Sequence, residues 1–102
     1  MTCKVIGLIQ VRDEALFNRY RAQVPDTLRA YGGEVLNRGG VEQLLCNELS
    51  CDRFELTVEI LFPDARAAQQ WAESREYQEL LAVRSEAIRL TLFIVDIGTQ
   101  SR

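Results

Sequence analysis

The residues from Arg53 to Phe62 alternate regularly between two kinds of side chain. One set is wholly apolar and consists of Phe54, Leu56, Val58, Ile60 and Phe62. The set between them is mainly polar and consists of Glu55, Thr57, Glu59 and Leu61. Because successive side chains of a β-strand point to opposite faces, this pattern predicts a strand that buries one face and ends before Pro63.

Three further strands are predicted. Cys3–Val11 is apolar, β-branched and short enough to form the first of them. Glu34–Asn37 forms the second, which runs into a turn or bulge at Arg38–Gly40 and continues from Val41 to Cys46. Leu90–Ile97 forms the last strand of the chain.

Two amphipathic helices are predicted between these strands. The first is capped by Asp13, and its apolar side chains recur at intervals of three and four residues at Phe17, Tyr20, Val24, Leu28 and Tyr31. Pro25 predicts a kink in this helix, and Gly32–Gly33 ends it. The second is capped by Asp64, buries Ala65, Ala68, Trp71 and Ala72, and restarts at Ser74 towards Tyr77, Leu80, Leu81 and Ile88.

The resulting order of elements is βαββαβ. It predicts an α+β, ferredoxin-like fold in which both helices pack on one face of a four-stranded antiparallel sheet. Residues 1–98 are expected to form one domain, and residues 99–102 a loose C-terminal tail.

The sheet face away from the helices is predicted to be too apolar for water. With Val5, Ile9, Val11, Phe93, Val95 and Ile97 facing the helices, the other face carries Ile6, Leu8, Leu61, Leu92 and Ile94 among Lys4, Gln10, Glu55, Thr57, Glu59 and Asp96. Leaving five aliphatic side chains exposed would forgo on the order of 10 kcal/mol, against a total stability of about 5–15 kcal/mol. We therefore expect a homodimer in which two sheets pack face to face and bury at least the standard area of roughly 800 Å² per partner. The alternative is a monomer with an amphipathic outer face.

The composition excludes several classes of protein. The chain has no histidine, which removes Ser–His and Cys–His catalysis and histidine-ligated haem, and Cys3, Cys46 and Cys51 cannot complete a four-ligand zinc site. We therefore expect no cofactor and no metal. The net charge of −3 gives no reason to expect nucleic acid or an anionic membrane as a partner. An odd cysteine count without an export signal predicts reduced thiols and a cytoplasmic location.

Motifs along nearly the whole chain resemble those of one bacterial family. They are Asp13-Glu14, Phe17, Tyr20 and Pro25, Tyr31-Gly32-Gly33, Leu36, Arg38-Gly39-Gly40, Phe62-Pro63, Ala67-Ala68, Trp71, and Ser74 with Glu76-Tyr77-Gln78. Together they resemble domain of unknown function 1330, a family of the dimeric α+β barrel superfamily. The resemblance implies the same face-to-face dimer. It implies no settled activity, because the superfamily includes cofactor-independent monooxygenases, isomerases, haem-handling enzymes and ligand-sensing modules.

The chain departs from the pattern of that family at four places. These are Cys46-Asn47 in place of a Glu-Gly pair, Leu61 in place of an acidic residue, Ala72 in place of a tyrosine and Arg75 in place of a proline. Two carboxylate positions are therefore replaced, and a site that relies on them is not expected in this chain.

Three carboxylates are candidates for chemistry inside the expected barrel. Glu55 and Glu59 share one face of their strand, and Asp96 is expected on the same face of another strand. Burial in a partly apolar barrel would raise the pKa of such a carboxyl, and Glu59, near the middle of its strand, is the better candidate for a general base. The alternatives are an ion pair with Lys4 or with an arginine of a partner chain, and a position at the solvent-exposed rim of the barrel.

Three other side chains are candidates for binding a ligand. Arg38 precedes Gly39–Gly40, whose bare backbone permits close approach, and its guanidinium could hold a carboxylate. A bulge in which this arginine pairs with Glu42 or with the other subunit is the alternative. Tyr20 could donate a proton to a ligand oxygen, and Trp71 could contact a ligand, although both residues are most simply explained as core.

Three functions remain open at this stage. The first is a dimer that binds or senses a small molecule without catalysis. The second is a cofactor-independent enzyme, monooxygenase- or isomerase-like, acting on a small aromatic or carbonyl-bearing metabolite, with Glu59 as base and Arg38 or Tyr20 stabilising negative charge. The third is a structural dimer with no ligand.

Overall fold

Four strands and four helices follow one another in residues 2–97, the part of the chain that the computed structural model describes. The strands are β1 (Cys3–Val11), β2 (Glu34–Gly40), β3 (Leu56–Phe62) and β4 (Ile88–Asp96). The helices are α1 (Glu14–Leu28), α2 (Ala65–Glu73), α3 (Arg75–Gln78) and α4 (Leu81–Ala87). The tail predicted for residues 99–102 lies outside the described residues.

The strands form one antiparallel sheet in the order β2-β3-β1-β4. This confirms the predicted α+β, ferredoxin-like fold. The core lies between the sheet and the helices, and its largest fully buried side chains are Trp71, Tyr77, Phe62, Leu28 and Cys3. None of the helices in residues 2–97 combines the length and the hydropathy that crossing a membrane requires.

Short polar side chains set the helix boundaries as predicted. The Asp13 carboxylate accepts a hydrogen bond from the Leu16 amide at 3.0 Å, and Asp64 and Ser74 cap α2 and α3 in the same way. Helix α1 continues through Pro25 to Leu28. A 3₁₀ turn, Arg29–Tyr31, follows it and ends at Gly32, whose φ of 71° is the left-handed geometry that glycine adopts without strain.

The connection between β2 and β3 is longer than predicted. β3 begins at Leu56, three residues later than expected, and β2 ends at Gly40, so residues 41–55 form no strand. The Val41 amide still donates to the Glu55 carbonyl at 2.8 Å, and the chain separates beyond that bond. The register shift of β2 lies between Val35 and Asn37, so the bulge expected at Arg38–Gly40 was placed too late.

The prediction of which β4 side chains face the helices was wrong, because the alternation was assigned one residue out of register. Val5 pairs with Ile94, and Gly7 with Leu92, so Leu92 and Ile94 face the helices. Phe93 and Val95 lie on the other face, the reverse of the prediction. The reason is that β4 is apolar on both faces, so alternation alone could not decide its phase, whereas its register against β1 does.

The face of the sheet that points away from the helices is called here the open face. Its apolar side chains are Ile6 and Leu8 of β1, Leu61 of β3, and Phe93 and Val95 of β4. Phe93 is 42% exposed. The reversed phase of β4 has therefore exchanged two members of the predicted apolar set without making the face polar.

Candidate ligand cavity

A cavity of about 260 Å³ lies between the inner face of the sheet and helix α1, and is called here the inner cavity. Its sheet side is formed mainly by aliphatic residues of all four strands: Ile9, Val35, Leu56, Val58, Ile60, Leu90 and Leu92. Its helix side is formed by Phe17, Tyr20, Val24 and Trp71. Arg21, Arg38, Gly39, Gly40 and Thr57 complete the lining. A concave, mainly apolar space with a few polar groups is typical of small-molecule sites, although this one is below the roughly 300–1,000 Å³ of most of them.

Glycines differ in their surroundings beneath the floor and at the mouth of the cavity. Gly7 lies beneath the floor: a Cβ added there would lie 2.8 Å from Val58 Cγ1 and 3.1 Å from Leu92 Cδ2, two side chains that line the cavity and pack over the bare backbone. At the mouth, a Cβ added at Gly40 would meet no atom within 4 Å. The Gly39–Gly40 pair predicted to permit close approach therefore lines the open edge of the cavity at the end of β2.

Tyr20 lines the cavity, and its hydroxyl belongs to a buried hydrogen-bonded pair. Its oxygen lies 2.7 Å from the hydroxyl oxygen of Tyr77, and Arg84 Nη1 donates to Tyr77 at 3.0 Å. Burial raises the pKa of Tyr20, and the hydrogen-bonded Tyr77 adds to the effect. Tyr20 is therefore a neutral phenol at physiological pH, able to donate a hydrogen bond but not to act as a phenolate.

Trp71 presents its ring to the cavity and uses its one polar group elsewhere. The indole N–H donates to Thr27 Oγ1 at 2.9 Å, and that hydroxyl donates in turn to the Val24 carbonyl at 2.7 Å. The ring is 1% exposed and packs 4.4 Å from the Tyr77 ring, measured between centroids. Trp71 is thus primarily a core residue whose contact with a ligand would be apolar.

Arg38 lies on the inner face, where it opposes Val58, and lines the cavity together with Tyr20 and Trp71. Arg21 lines the same cavity from α1 and was not among the candidates of the sequence analysis. Its position four residues after Phe17 was the available signal, because residues four apart share a helix face. The guanidinium carbon of Arg21 lies 5.2 Å from the centroid of the Phe17 ring.

Glu59 lies on the open face, opposite Ile6, and not in the inner cavity. Its Oε1 is 3.3 Å from Lys4 Nζ, and both side chains are about one-third exposed or less. This ion pair is the alternative that the sequence analysis left open for a carboxylate on this face. Glu59 and Tyr20 therefore lie on opposite sides of the sheet.

Glu55 precedes β3, and its pKa is shifted in the direction opposite to that expected. Its carboxylate accepts from the Val11 amide at 2.7 Å and from Arg53 Nη2 at 3.3 Å. The Val11 N–H in particular lowers the pKa of Glu55, because it stabilises the charged form. The prediction of a raised pKa was wrong for this residue, whose carboxylate is a weaker base than an ordinary glutamate.

Asp96 is separated from both glutamates. It pairs with Cys3 at the far end of β4, on the helix-facing side of the sheet, so its predicted grouping with Glu55 and Glu59 was wrong. Of the six candidates, the structure brings together Tyr20, Arg38 and Trp71. Among residues 2–97, no group of three or more His, Cys, Asp or Glu side chains is arranged to hold a metal ion.

Comparison with known proteins gives a family match and several structural neighbours. Residues 4–97 match the model of a family described as a domain of unknown function, DUF1330. A search of curated protein sequences gives no significant match. A protein of unknown function from Rhodopseudomonas palustris superimposes with a TM-score of 0.78 at 14% identity, covering 97% of this chain and 84% of that one.

Two other neighbours carry more informative descriptions. SnoaB from Streptomyces nogalater, described as a cofactor-independent oxygenase, has a TM-score of 0.69 at 7% identity, with 97% of this chain and 95% of that chain covered. A dimeric ferredoxin-like protein of unknown function from Jannaschia sp. CCS1 has a TM-score of 0.64 at 12% identity, with 95% and 100% covered. At such identities these similarities establish the fold alone.

Proposed function

We propose, from the premise that the chain belongs to the DUF1330 family, that it is a cytoplasmic homodimer that binds a small, largely apolar molecule in the inner cavity. The observation that carries this proposal is the cavity itself: an apolar space of about 260 Å³ with the neutral side chain of Tyr20 in its wall. Free Cys3, Cys46 and Cys51 support a reducing compartment.

The dimer is proposed to form through the open face. Each aliphatic or aromatic side chain of that face would contribute roughly 1.5–3 kcal/mol on burial, and structures of similar fold from Jannaschia and Thermobifida fusca are described as dimeric. Two copies of this sheet packed face to face would cover Ile6, Leu8 and Phe93. The inner cavity, on the other side of the sheet, would stay accessible in such a dimer.

The second candidate function is cofactor-independent catalysis on an aromatic or carbonyl-bearing compound. The observation that favours it is the position of Tyr20, whose hydroxyl could donate to a developing oxyanion, with Arg38 at the same cavity to stabilise the charge. The resemblance of fold to SnoaB is consistent with it. Glu59 could serve as a base only in a separate site between the two sheets, since it lies on the open face.

A ligand screen tests the first candidate against a structural dimer without a ligand. Thermal unfolding is measured for the wild type and for Val24→Phe, which adds a ring to the wall of the inner cavity. We expect compact apolar compounds to raise the melting temperature of the wild type and not that of Val24→Phe. If no compound shifts the wild type, or if the variant responds equally, the cavity is not a binding site. Turnover assays on the compounds that bind then test for catalysis, with Tyr20→Phe expected to lose conversion while retaining binding.

A further inference from the structure

The charged residues that line the inner cavity are opposite in sign to the net charge of the whole chain. The protein has 15 acidic residues against 12 basic ones. Among the described residues, however, those that line the cavity include Arg21 and Arg38 and no acidic residue. The cavity is therefore an electropositive, apolar space in a protein of net negative charge.

Neither arginine is neutralised by the chain itself. The five ion pairs found within residues 2–97 involve Lys4, Arg29, Arg53, Arg75 and Arg89. Within the same residues the guanidinium groups of Arg21 and Arg38 make no hydrogen bond and no ion pair. Arg21 contacts the face of the Phe17 ring, and such stacking leaves the in-plane N–H donors of the guanidinium unused.

The two arginines reach the cavity from different layers of the fold. Arg21 follows Tyr20 on α1, whereas Arg38 stands in β2 immediately before the Gly39–Gly40 pair at the open edge. Both side chains are exposed, so they belong to the mouth and not to the apolar floor. A ligand in the inner cavity would therefore have an arginine of α1 and an arginine of β2 among the residues around it.

We infer that the inner cavity takes a compact aromatic carboxylate, whose ring packs against Phe17 and Trp71 and whose charge is held at the mouth by Arg21 and Arg38. Guanidinium groups match the planar geometry of a carboxylate and bind it through paired N–H donors. The cavity volume suits a body of one or two rings, and its aliphatic floor disfavours a second charge. This inference rests on the proposed function, because it specifies the ligand of the same cavity.

The test compares 2-naphthoate with 2-naphthamide, which has nearly the same shape and no charge. Isothermal titration calorimetry at pH 7 and low salt measures both compounds against the wild type, Arg21→Met and Arg38→Met. We expect the wild type to prefer the carboxylate, and each substitution to weaken naphthoate binding by roughly fivefold, the scale of an exposed ion pair at its upper end. Naphthamide affinity should stay unchanged in both variants.

Arg19→Met is the matched control, because Arg19 is exposed on the same helix and does not line the cavity. It should bind naphthoate as the wild type does. Raising the salt concentration should weaken naphthoate binding and leave naphthamide unaffected, since only the charged compound depends on a screened interaction.

The outcomes separate the inference from the function on which it rests. If the two probes bind the wild type equally and the arginine variants change nothing, the carboxylate inference is overturned while the cavity remains a binding site. Equal losses in Arg19→Met would overturn it as well, because the effect would then be one of overall charge. If neither probe binds the wild type, the proposed cavity function fails for compounds of this class and the inference fails with it.

Discussion

The two faces of the sheet are built from the same strands but differ in what surrounds them. On the inner face, Val5, Ile9 and Ile60 are buried under the helices, and the space left over forms the inner cavity. On the open face, apolar side chains such as Phe93 remain exposed beside the Lys4–Glu59 ion pair. This difference underlies the proposed functions of the two faces, in which the inner face binds a ligand and the open face forms the dimer.

The core between the inner face and the helices should be more sensitive to truncation than the open face. Trp71→Ala removes a fully buried ring that packs on Phe62 and Tyr77. We expect it to lower the free energy of unfolding by about 3–5 kcal/mol, since large aromatic deletions leave a cavity in the core. Urea unfolding followed by circular dichroism measures the change. A loss below 1 kcal/mol would show that the helix layer is less tightly packed than the structure indicates.

Of the two faces of the sheet, the open face should be the more sensitive to an introduced charge. Phe93→Asp places a carboxylate at the proposed interface, and we expect it to raise the dimer dissociation constant by at least about thirtyfold, as for an interface residue contributing roughly 2 kcal/mol. Ile94→Asp is the matched control, because Ile94 is 44% exposed against 42% for Phe93 but points to the inner side.

Sedimentation equilibrium distinguishes these two variants. The wild type and Ile94→Asp should sediment as dimers at micromolar concentration, and Phe93→Asp as the 11.6 kDa chain. A wild type that is monomeric under these conditions would refute the assembly role of the open face. Dimers that persist in Phe93→Asp would place the interface elsewhere.

Glycine substitutions probe the floor and the mouth of the cavity. Gly7→Ala forces its Cβ to within 2.8 Å of Val58 Cγ1, and we expect a loss of about 1–3 kcal/mol in unfolding free energy from overpacking. Gly40→Ala meets open space and should stay within about 0.5 kcal/mol of the wild type. Chemical denaturation compares the pair. Equal effects would mean that the floor adapts more easily than its distances suggest.

The hydroxyl of Tyr20 is expected to matter moderately. Tyr20→Phe removes the hydrogen bond to Tyr77 and should cost about 0.5–1.5 kcal/mol of stability. Tyr31→Phe removes an exposed contact with Glu76 and should cost less than about 0.5 kcal/mol. Thermal unfolding of the two variants ranks them. A larger loss for Tyr31→Phe would contradict the assignment of Tyr20 to a buried hydrogen-bonded pair.

The smallest effect concerns the pH dependence of stability. Because the pKa of Glu55 is lowered in the folded protein, its contribution is present above the ordinary glutamate pKa of roughly 4.3 and is lost as the pH falls through the lower folded value. Glu55→Gln should therefore flatten the acid side of a plot of melting temperature against pH. An unchanged acid side would mean that the Val11 amide does not favour the charged carboxylate.

Local pattern carried most of the fold. The bounds of β1 were predicted to the residue, and Asp13, Asp64 and Ser74 cap helices as expected, because capping and alternation act within a few residues. The errors occur where local signals are ambiguous. Strand β4 is apolar on both faces, so alternation does not fix its phase. The alternation of apolar and polar residues in β3 extends back to Arg53, three residues before the strand begins at Leu56.

The candidate site was predicted only in part. Tyr20, Arg38 and Trp71 converge on the inner cavity, whereas Glu55, Glu59 and Asp96 do not. The search for a base favoured carboxylates on the open face, but the space suited to a ligand lies on the other side of the sheet. Arg21 was missed because it lies at the edge of the apolar stripe of α1. At that edge, periodicity does not distinguish residues that line the cavity from residues that face only solvent.

By itself, the amino-acid order determined the order of strands and helices along the chain, where α1, α2 and α3 begin, and that the sheet carries more apolar surface than one layer of helices covers. Only the tertiary structure decided which face of β4 meets the helices, that Glu59 pairs with Lys4, and that Arg21 and Arg38 share one cavity. The physical reason is the separation along the chain over which each kind of interaction acts. Backbone preference and capping depend on neighbours along the chain, whereas strand register and the meeting of distant side chains depend on how the packed layers close around their core.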